Sequence, residues 1–249
     1  MLIMRGPGVK TRVRMQKPNL SVQLPLAIQL NHEATFRDFC WGDNALLHQQ
    51  IDLSIAGEGD RFMYLWGLQG SGKSHLLQAC CQAVSGHRTS IYLPLKLLNE
   101  WGPQILEGLD EQDWISVDDL DVVAGNPVWE EALFHLYNRV RENGKTTLII
   151  SGQQPVANLP IRLPDLRSRL SWGLVFQINE LNDEDKIATL SHLATNRGFE
   201  LPFSVGQFLI NRCGRNMHDL DLVLSRLDEA SLSAQRRITI PFVKSILGI

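Results

Sequence analysis

The sequence contains little cysteine, and its cysteines do not form the patterns that bind metals or build disulfide frameworks. Four cysteines occur in 249 residues, and no two are spaced C-x-x-C. Cys80 and Cys81 are adjacent within an apolar stretch of helical character, which predicts that both are buried. This usage is typical of reduced thiols in a cytosolic protein, so we predict neither disulfides nor a cysteine-bound metal.

Long apolar runs and an excess of one charge are lacking as well. Arg5 interrupts the apolar N-terminus, and no run of signal-peptide or membrane length follows, so we expect a cytoplasmic protein without membrane contacts. The net charge of −3 gives no general argument for nucleic-acid binding. Residues 1–32 differ, because they carry five basic side chains and no acidic one. We expect a flexible basic tail here, which could touch DNA phosphates non-specifically. Alternatively, Met15 could be the true initiator, which would leave residues 1–14 outside the native protein.

The most informative pattern that is present is the octapeptide Gly-Leu-Gln-Gly-Ser-Gly-Lys-Ser at residues 67–74. It fits the phosphate-binding pattern G-x-x-x-x-G-K-[ST], and it lies between an apolar strand-like run and a stretch of helical character. In such a loop the glycines let successive backbone N–H groups face a β-phosphate, the lysine reaches the β- and γ-phosphates, and the final hydroxyl ligates Mg²⁺. The motif predicts binding of ADP or ATP with Mg²⁺. The residues assigned to this site are Gly67, Gly70, Gly72, Lys73 and Ser74.

A second motif lies at the end of the second predicted strand after the phosphate-binding loop. The run Trp114–Val117 ends in Asp118 and Asp119, as in a Walker B element. There the first carboxylate holds the hydration shell of Mg²⁺ and the second orients or polarises the attacking water. The alternative is that two acidic residues merely begin a solvated loop, which would give the same sequence. Because a phosphate-binding loop precedes them, we assign Asp118 to the Mg²⁺ and nucleotide site with Ser74, and Asp119 to catalysis.

The periodicity of the chain predicts an α/β fold with a parallel five-stranded sheet and helices on both faces, such as Lys73–Val84 and Pro127–Glu142. The predicted strands are Phe62–Trp66, Ser90–Leu93, Trp114–Val117, Thr146–Ile150 and Leu174–Phe176. Strand signals stop after residue 178, and the remaining chain predicts a helical lid. Its helices are Asp183–Arg197, Phe203–Arg212, Met217–Gln235 and Pro241–Leu247. We therefore expect a leader at 1–30, a nucleotide-binding α/β unit at 31–178 and a lid at 179–249.

With these motifs in place, the sequence resembles the AAA+ module of the DnaA family of replication proteins. Residues 163–173, Leu-Pro-Asp-Leu-Arg-Ser-Arg-Leu-Ser-Trp-Gly, are similar to the stretch of that family known as box VII. The resemblance implies that Arg169 is an arginine finger, a guanidinium that offsets charge developing on the γ-phosphate of ATP bound to a neighbouring subunit. Alternatively, Arg169 and Arg167 are solvated helix charges or structural ion-pair partners.

Two positions depart from the pattern of this family. Gln153 follows the fourth predicted strand where a sensor 1 Asp would stand, and His218 occupies the position of the sensor 2 arginine. A neutral imidazole cannot replace a permanent guanidinium beside a γ-phosphate. ADP binding with His218 as a contact, rather than efficient ATP turnover, would follow. If the alignment is shifted, Arg215 occupies the sensor 2 position instead. A further alternative is that His218 is an ordinary histidine on the surface of a helix.

The leader contains a hexapeptide, Gln-Leu-Pro-Leu-Ala-Ile at residues 23–28, that resembles the motif with which proteins bind the DNA polymerase III β sliding clamp. An extended peptide of this kind places Gln23 in a polar pocket and Leu26 and Ile28 in an apolar one, with Leu24 completing the pattern. The alternative is an apolar leader that packs on the sheet.

Together these features resemble the regulators of the DnaA family that couple the DNA-loaded clamp to hydrolysis of DnaA-bound ATP. We expect a negative regulator of replication initiation that binds adenine nucleotide, the clamp and DnaA, and that is a weak ATPase alone. The chain stops at Ile249, directly after the predicted lid, so we do not expect sequence-specific origin recognition by an initiator paralogue. An autonomous AAA+ ATPase such as a helicase loader, working as a homo-oligomeric ring, is the main alternative, and the sequence leaves the oligomeric state open.

Overall fold

The computed structural model describes residues 30–31, 33–234 and 236–249. The hexapeptide predicted to bind the clamp, with Gln23, Leu24, Leu26 and Ile28, lies outside the described residues. What is described is an α/β unit built on one sheet, followed by a set of helices with a core of their own.

A parallel sheet of five strands forms the centre of the α/β unit. In chain order the strands are β1 (Phe62–Trp66), β2 (Ser90–Pro94), β3 (Trp114–Asp118), β4 (Thr147–Gly152) and β5 (Leu174–Gln177). The predicted α/β class and the predicted strands are confirmed. Strand β4 extends beyond its predicted end at Ile150, because Ser151 and Gly152 continue the pairing with Leu65 and Trp66 of β1.

The spatial order of the strands is β2-β3-β4-β1-β5. Strand β1, which leads into the phosphate-binding loop, therefore lies between β4 and β5, and β3, which ends in Asp118, lies between β2 and β4. Because all strands are parallel, the chain segments that follow β1, β2, β3 and β4 meet at one edge of the sheet. Both sequence motifs are thus brought to the same edge.

Helices cover both faces of this sheet. They are α1 (Ala45–Ala56), α2 (Lys73–Val84), α3 (Leu95–Leu98), α4 (Pro127–Asn143) and α5 (Pro164–Leu170). Alternate strand residues point to opposite faces: Met63 and Leu65 pack on α1 and α2, whereas Tyr64 packs on α4 and α5. Helix α4 begins where Asn126 accepts a hydrogen bond from the N–H of Val128 and ends at Gly144, whose φ is positive, as expected of a capped helix.

The remaining helices form a lid with a separate apolar core. The lid helices are α6 (Asp183–Asn196), α7 (Phe203–Cys213), α8 (Met217–Ala234) and α9 (Ile240–Leu247), each within a residue or two of its predicted bounds. Leu190 of α6, Leu209 of α7 and Leu224 of α8 are fully buried in this core. Asn182 caps α6 by accepting from the N–H of Asp185. None of the helices within the described residues is long and apolar enough to cross a membrane.

Candidate nucleotide-binding site

The loop between β1 and α2 has a backbone conformation that depends on its glycines. Gly70 and Gly72 have φ values of 83° and 93°, in the left-handed region that residues with a side chain rarely adopt. A Cβ on Gly72 would lie 2.8 Å from the ring of Phe39, and one on Gly67 would lie 2.7 Å from the carbonyl oxygen of Ile178. The loop leads directly into the N-terminus of α2, whose free N–H groups and partial positive charge favour a bound anion.

Lys73 begins α2, and its ammonium group returns to this loop. The side chain is buried, and Nζ donates hydrogen bonds to the carbonyl oxygens of Gly67 (2.7 Å) and Leu68 (2.9 Å). Burial lowers the pKa of Lys73, and the nearby carboxylates of Asp118 and Asp119 act in the opposite direction. The predicted phosphate-binding cation therefore lies beside the predicted metal-binding carboxylates.

Asp118 is fixed in place at the end of β3. It is 1% exposed, and its Oδ2 accepts a hydrogen bond of 2.7 Å from the hydroxyl of Tyr92. Its Oδ1 accepts from the hydroxyl of Ser151 and, at 3.1 Å, from the N–H of Asp119. Burial, and then the charge of Asp118, raise the pKa of Tyr92 well above its ordinary value, so this hydroxyl remains a donor. A carboxylate oriented by neighbouring donors suits the role of holding a hydrated Mg²⁺.

Asp119 has an unusual backbone and a cationic neighbour. Its φ is 60°, the one positive value among the described non-glycine residues. Its Oδ2 lies 3.9 Å from Nζ of Lys96, which follows β2. Burial and the adjacent Asp118 raise the pKa of Asp119, while Lys96 opposes that shift. The side chain predicted to polarise water is therefore already engaged with a lysine of the same chain.

A cleft of about 370 Å³ surrounds these groups, within the range of sites that bind small ligands. One wall is the phosphate-binding loop, a second is the segment that includes Phe39 and Cys40, and the third is the lid. Asn216, at the start of α8, lies so close to Gly70 that a Cβ there would be 2.2 Å from its Oδ1. The lid thus touches the loop directly at Gly70.

The predicted sensor positions also line this cleft. Gln153 follows β4, and both Arg215 and His218 contribute to the lid side. The Nη2 atom of Arg215 lies 3.4 Å from Oδ2 of Asp183, and the arginine side chain is 69% exposed. The backbone N–H of His218 donates to Oδ1 of Asn216. The structure therefore brings both sensor 2 candidates to the cleft, with Arg215 paired to an acid and the imidazole of His218 facing the same space.

The residues present fit a nucleoside polyphosphate with Mg²⁺. The loop offers backbone N–H groups, Lys73 offers a cation, and Ser74 and Asp118 offer the oxygen ligands that Mg²⁺ prefers. Oγ of Ser71 is buried in this loop without a hydrogen-bond partner among the described residues. An unpartnered buried hydroxyl is rare in proteins, and it marks a place where a polar group of a ligand is accommodated.

Arg169 lies apart from this cleft. It is on α5, its guanidinium carbon is 5.2 Å from the ring centroid of Trp172, and it lines a shallow groove with Phe62 and Tyr137. A Cβ on the neighbouring Gly173 would lie 2.3 Å from the carbonyl oxygen of Phe62, the first residue of β1. The phosphate-binding loop follows the last residue of β1, about 13 Å further along the strand. Arg169 therefore lies at the opposite end of β1 from the chain's own loop.

The two arginines of α5 have different partners. Nη2 of Arg167 donates to the carbonyl oxygens of Ile161 and Leu159, so Arg167 holds the loop before α5. Among the described residues, the guanidinium of Arg169 makes no hydrogen bond or ion pair, and it lies over the indole ring of Trp172. Arg167 thus has a structural role, whereas the guanidinium of Arg169 has no hydrogen-bond or ion-pair partner among the described residues that would keep it from another molecule.

Several residues around the site carry no sequence signal of their own. Lys96 is a single lysine after β2, which only the strand order places beside Asp119. Glu130 is 1% exposed and accepts from the N–H groups of Gly125, Arg162 and Leu163, so it fixes the turn that leads to α5. Lys186, buried on α6, also lines the cleft.

Comparisons with known families match two consecutive parts of the chain. The family described as the bacterial DnaA ATPase domain matches residues 99–177, and the family described as the Hda lid domain matches residues 183–247. The second match covers the lid helices α6 to α9. Together the two support a DnaA- and Hda-related AAA+ protein.

Solved structures with the same fold include domain III of the Thermotoga maritima replication initiation protein DnaA. It has a TM-score of 0.77 at 22% identity, over 88% of this chain and 98% of that one. AMPPCP-bound DnaA from Aquifex aeolicus has a TM-score of 0.67 at 20% identity, over 79% of this chain and 65% of that one. The Thermotoga maritima RuvB Holliday junction branch migration motor has a TM-score of 0.64 at 13% identity, over 82% of this chain and 67% of that one. The fold is that of an AAA+ module, as predicted.

Proposed function

We propose that this DnaA- and Hda-related AAA+ protein stimulates hydrolysis of ATP bound to DnaA and thereby restrains the initiation of DNA replication. In this proposal the chain holds adenine nucleotide in its own cleft, is tethered to the DNA polymerase III β sliding clamp through residues 23–28, and presents Arg169 to the nucleotide of DnaA. The observation that carries the proposal is the position of Arg169 at the far end of β1 from the chain's own loop, without a partner for its guanidinium among the described residues.

The chemistry assigned to Arg169 is electrostatic. When water attacks the γ-phosphorus, an oxygen–phosphorus bond forms, the bridging bond to the β-phosphate breaks, and negative charge accumulates on the transferring oxygens. A planar guanidinium supplied from another subunit offsets that charge at two oxygens at once. Arg169 alone cannot do this for its own nucleotide, since β1 separates it from the loop.

The chain's own cleft is proposed to bind nucleotide with little turnover. The loop, Lys73, Ser74 and Asp118 would hold the phosphates and Mg²⁺. This role is supported by Lys73 and Ser74, which line the cleft, by Asp118, whose charge acts on Lys73, and by AMPPCP bound to the DnaA of similar fold. Asp119 is engaged with Lys96, and the sensor positions carry Gln153 and His218. A carboxylate that is already engaged with a cation is less free to orient and polarise an attacking water.

The clamp tether rests on sequence alone. Gln23, Leu24, Leu26 and Ile28 precede the described residues, and the described chain starts at Leu30, close to the phosphate-binding helix, where the N–H of Asn31 donates to Oε1 of Gln78. The hexapeptide thus precedes a point of the chain that contacts α2. Such a peptide could engage a clamp pocket while the rest of the chain contacts DnaA.

The test is single-turnover hydrolysis of ATP preloaded on DnaA, with clamp loaded on DNA. We expect the chain to accelerate hydrolysis by a factor on the order of 10³, the range of arginine fingers supplied in trans. Omitting the clamp should remove most of the acceleration. Hydrolysis on DnaA that is equally slow with and without the chain would contradict the proposal, and fast multiple turnover by the chain alone would favour the autonomous ATPase.

A further inference from the structure

Lys186 is a buried cation that faces the nucleotide cleft from the lid. It lies one turn into α6, on the helix face that also carries the buried Leu190 and Ala194. The residue is only 4% exposed, yet it is one of the residues that line the cleft. Thr189 and Leu193, on the same helix, line the cleft beside it.

The ammonium group of Lys186 has no partner within the described part of the chain. It makes no hydrogen bond there, and no acidic oxygen of the described residues lies within ion-pair distance of it. Four carboxylates in or near the cleft have a basic side chain as partner: Asp38 with His192, Asp119 with Lys96, Asp183 with Arg215 and Asp221 with Arg197. Glu180 also lines the cleft without an ion pair among the described residues, and it lies beyond ion-pair distance of Lys186.

A buried ammonium without a partner is costly, and proteins rarely keep one unless a ligand completes its surroundings. The group is not sealed inside the protein, since Oγ of Ser71 is the one fully enclosed side-chain polar atom without a partner among the described residues. The small exposed part of Lys186 is therefore directed to the cleft. The hydroxyl of Thr189 donates to the carbonyl oxygen of Asp185 and makes no hydrogen bond to Lys186.

We propose that Lys186 binds the phosphate chain of the nucleotide, as a second cation contributed by the lid opposite Lys73. This inference rests on the nucleotide site of the proposed function. Charge favours the phosphates within the nucleotide, because Lys186 has no acidic partner among the described residues and the phosphates are the anionic part of ADP or ATP. Such a contact would draw α6 onto the nucleotide and couple its occupancy to the position of the lid.

The experiment compares Lys186→Met, which removes the charge but keeps much of the length, with Lys186→Arg, which keeps the charge. Lys244→Met is the matched control, because Lys244 lies on α9 over the ring of Phe208 and outside the cleft. Equilibrium binding of ADP is measured by calorimetry, and pyrophosphate is tested as a competitor of a fluorescent ADP analogue. Thermal unfolding of each variant without nucleotide is recorded in parallel.

We expect Lys186→Met to weaken ADP binding by a factor on the order of tenfold or more, the usual size of a lost hydrogen bond to a charged group. Pyrophosphate competition should weaken in proportion, Lys186→Arg should retain part of the affinity, and Lys244→Met should bind as the unchanged protein does. The melting temperature of Lys186→Met without nucleotide should stay the same or rise, because a buried unpaired charge has been removed.

Three outcomes would overturn the assignment. ADP affinity equal to that of the unchanged protein would remove Lys186 from the site, and a loss of ADP affinity with unaltered pyrophosphate competition would place it at the base or ribose. A parallel fall in melting temperature and affinity would make Lys186 a structural residue. If the unchanged protein itself failed to bind ADP, the nucleotide site of the proposed function would fail, which is a separate result.

Discussion

The guanidinium carbon of Arg169 lies 5.2 Å from the ring centroid of Trp172, and that indole is 69% exposed. Arg141 lies over the same ring at 5.6 Å. An aromatic ring this exposed contributes little to the core, but its face attracts a guanidinium and restricts the directions that the guanidinium can take. Trp172 is thus placed to orient Arg169 before it meets a partner.

The first prediction concerns this ring. Trp172→Ala should lower the maximal rate of hydrolysis stimulated on DnaA about twofold to fivefold, the range of an exposed cation–π contact. Trp172→Phe, which keeps an aromatic face, should lose less. The concentration of the chain that gives half-maximal stimulation serves as the comparison: an unchanged maximal rate with a raised half-maximal concentration would mean that Trp172 binds the partner and does not orient Arg169.

The second prediction tests the phosphate-binding loop. Lys73→Ala should abolish measurable ADP and ATP binding, because it removes the cation directed at the β- and γ-phosphates and leaves the carbonyl oxygens of Gly67 and Leu68 without their donor. Lys145→Ala, outside the cleft, is the matched control. Calorimetric titration decides the matter, and an affinity shared by both variants would show that the loop is an ordinary glycine-rich turn.

The third prediction uses the contact between the lid and the segment before α1. Asp38 accepts hydrogen bonds from the Thr35 hydroxyl, from Nε2 of His192 and from the Asn196 amide. Burial alone would raise the pKa of Asp38, but these hydrogen bonds and the charge of His192 hold it below the ordinary value of 3.8. A depressed folded-state pKa stabilises the protein above the ordinary value, and this stability is lost as the pH falls through the lower, folded-state value.

Asp38→Asn should therefore lower the free energy of unfolding at pH 7 by about 1–2 kcal/mol. The difference from the unchanged protein should shrink as the pH is lowered from 3.8 through the lower, folded-state pKa of Asp38. Below that pKa the carboxyl group of the unchanged protein is protonated and therefore uncharged, as the asparagine amide is at every pH. Urea unfolding at a series of pH values measures it, with the exposed Asp43→Asn as control. A difference that stays constant down to strongly acidic pH would mean that the charge of Asp38 is not the stabilising feature.

Much of the fold follows from local sequence patterns, and the parts that do not follow have identifiable reasons. The strands were predictable because each is a short apolar run between polar segments. Helix α1 was not predicted, since its apolar residues do not mark one face: the exposed Leu46 stands beside the buried Leu47, and the polar Ser54 is buried with Ile51. The extra length of β4 depends on pairing with β1, and Ser151 and Gly152 give no local sign of a strand.

The candidate site divides in the same way. Lys73 and Asp118 belong to sequence motifs with a known chemistry, so the sequence alone predicts their roles. Lys96 and Lys186 carry no motif, and their roles arise only when strand order and the lid bring them to the cleft. Distinguishing Arg167 from Arg169 required the contacts of their guanidinium groups, because the two arginines differ by two positions on one short helix.

The fourth prediction addresses the tether. Replacement of Gln23, Leu24 and Leu26 by alanine should eliminate binding to the sliding clamp while leaving the melting temperature nearly unchanged, because a segment that must be free to enter a clamp pocket contributes little to the core. Binding is measured by pull-down with purified clamp, and the same variant should retain ADP binding. Clamp affinity equal to that of the unchanged protein would rule the motif out, and a large fall in melting temperature would favour a leader that packs on the sheet.

The last prediction concerns Arg169, whose guanidinium is free of hydrogen bonds and ion pairs among the described residues and lies at the far end of β1 from its own loop. Arg169→Ala should preserve the fold, ADP binding and clamp binding, since none of them uses this side chain. Stimulated hydrolysis on DnaA should fall by a factor on the order of 10³. Arg169→Lys should rescue poorly, because a point charge lacks the planar fork that meets two phosphate oxygens.

Arg167→Ala is the informative companion to this variant. Arg167 donates to the carbonyl oxygens of Ile161 and Leu159, so its loss should lower the melting temperature by loosening the loop before α5 and affect hydrolysis only in proportion. Single-turnover assays on preloaded DnaA, with clamp and DNA present, measure both variants. If Arg169→Ala stimulated hydrolysis as the unchanged protein does, a transition-state role would pass to another cation, and Arg141, over the same Trp172 ring, would be the next to test.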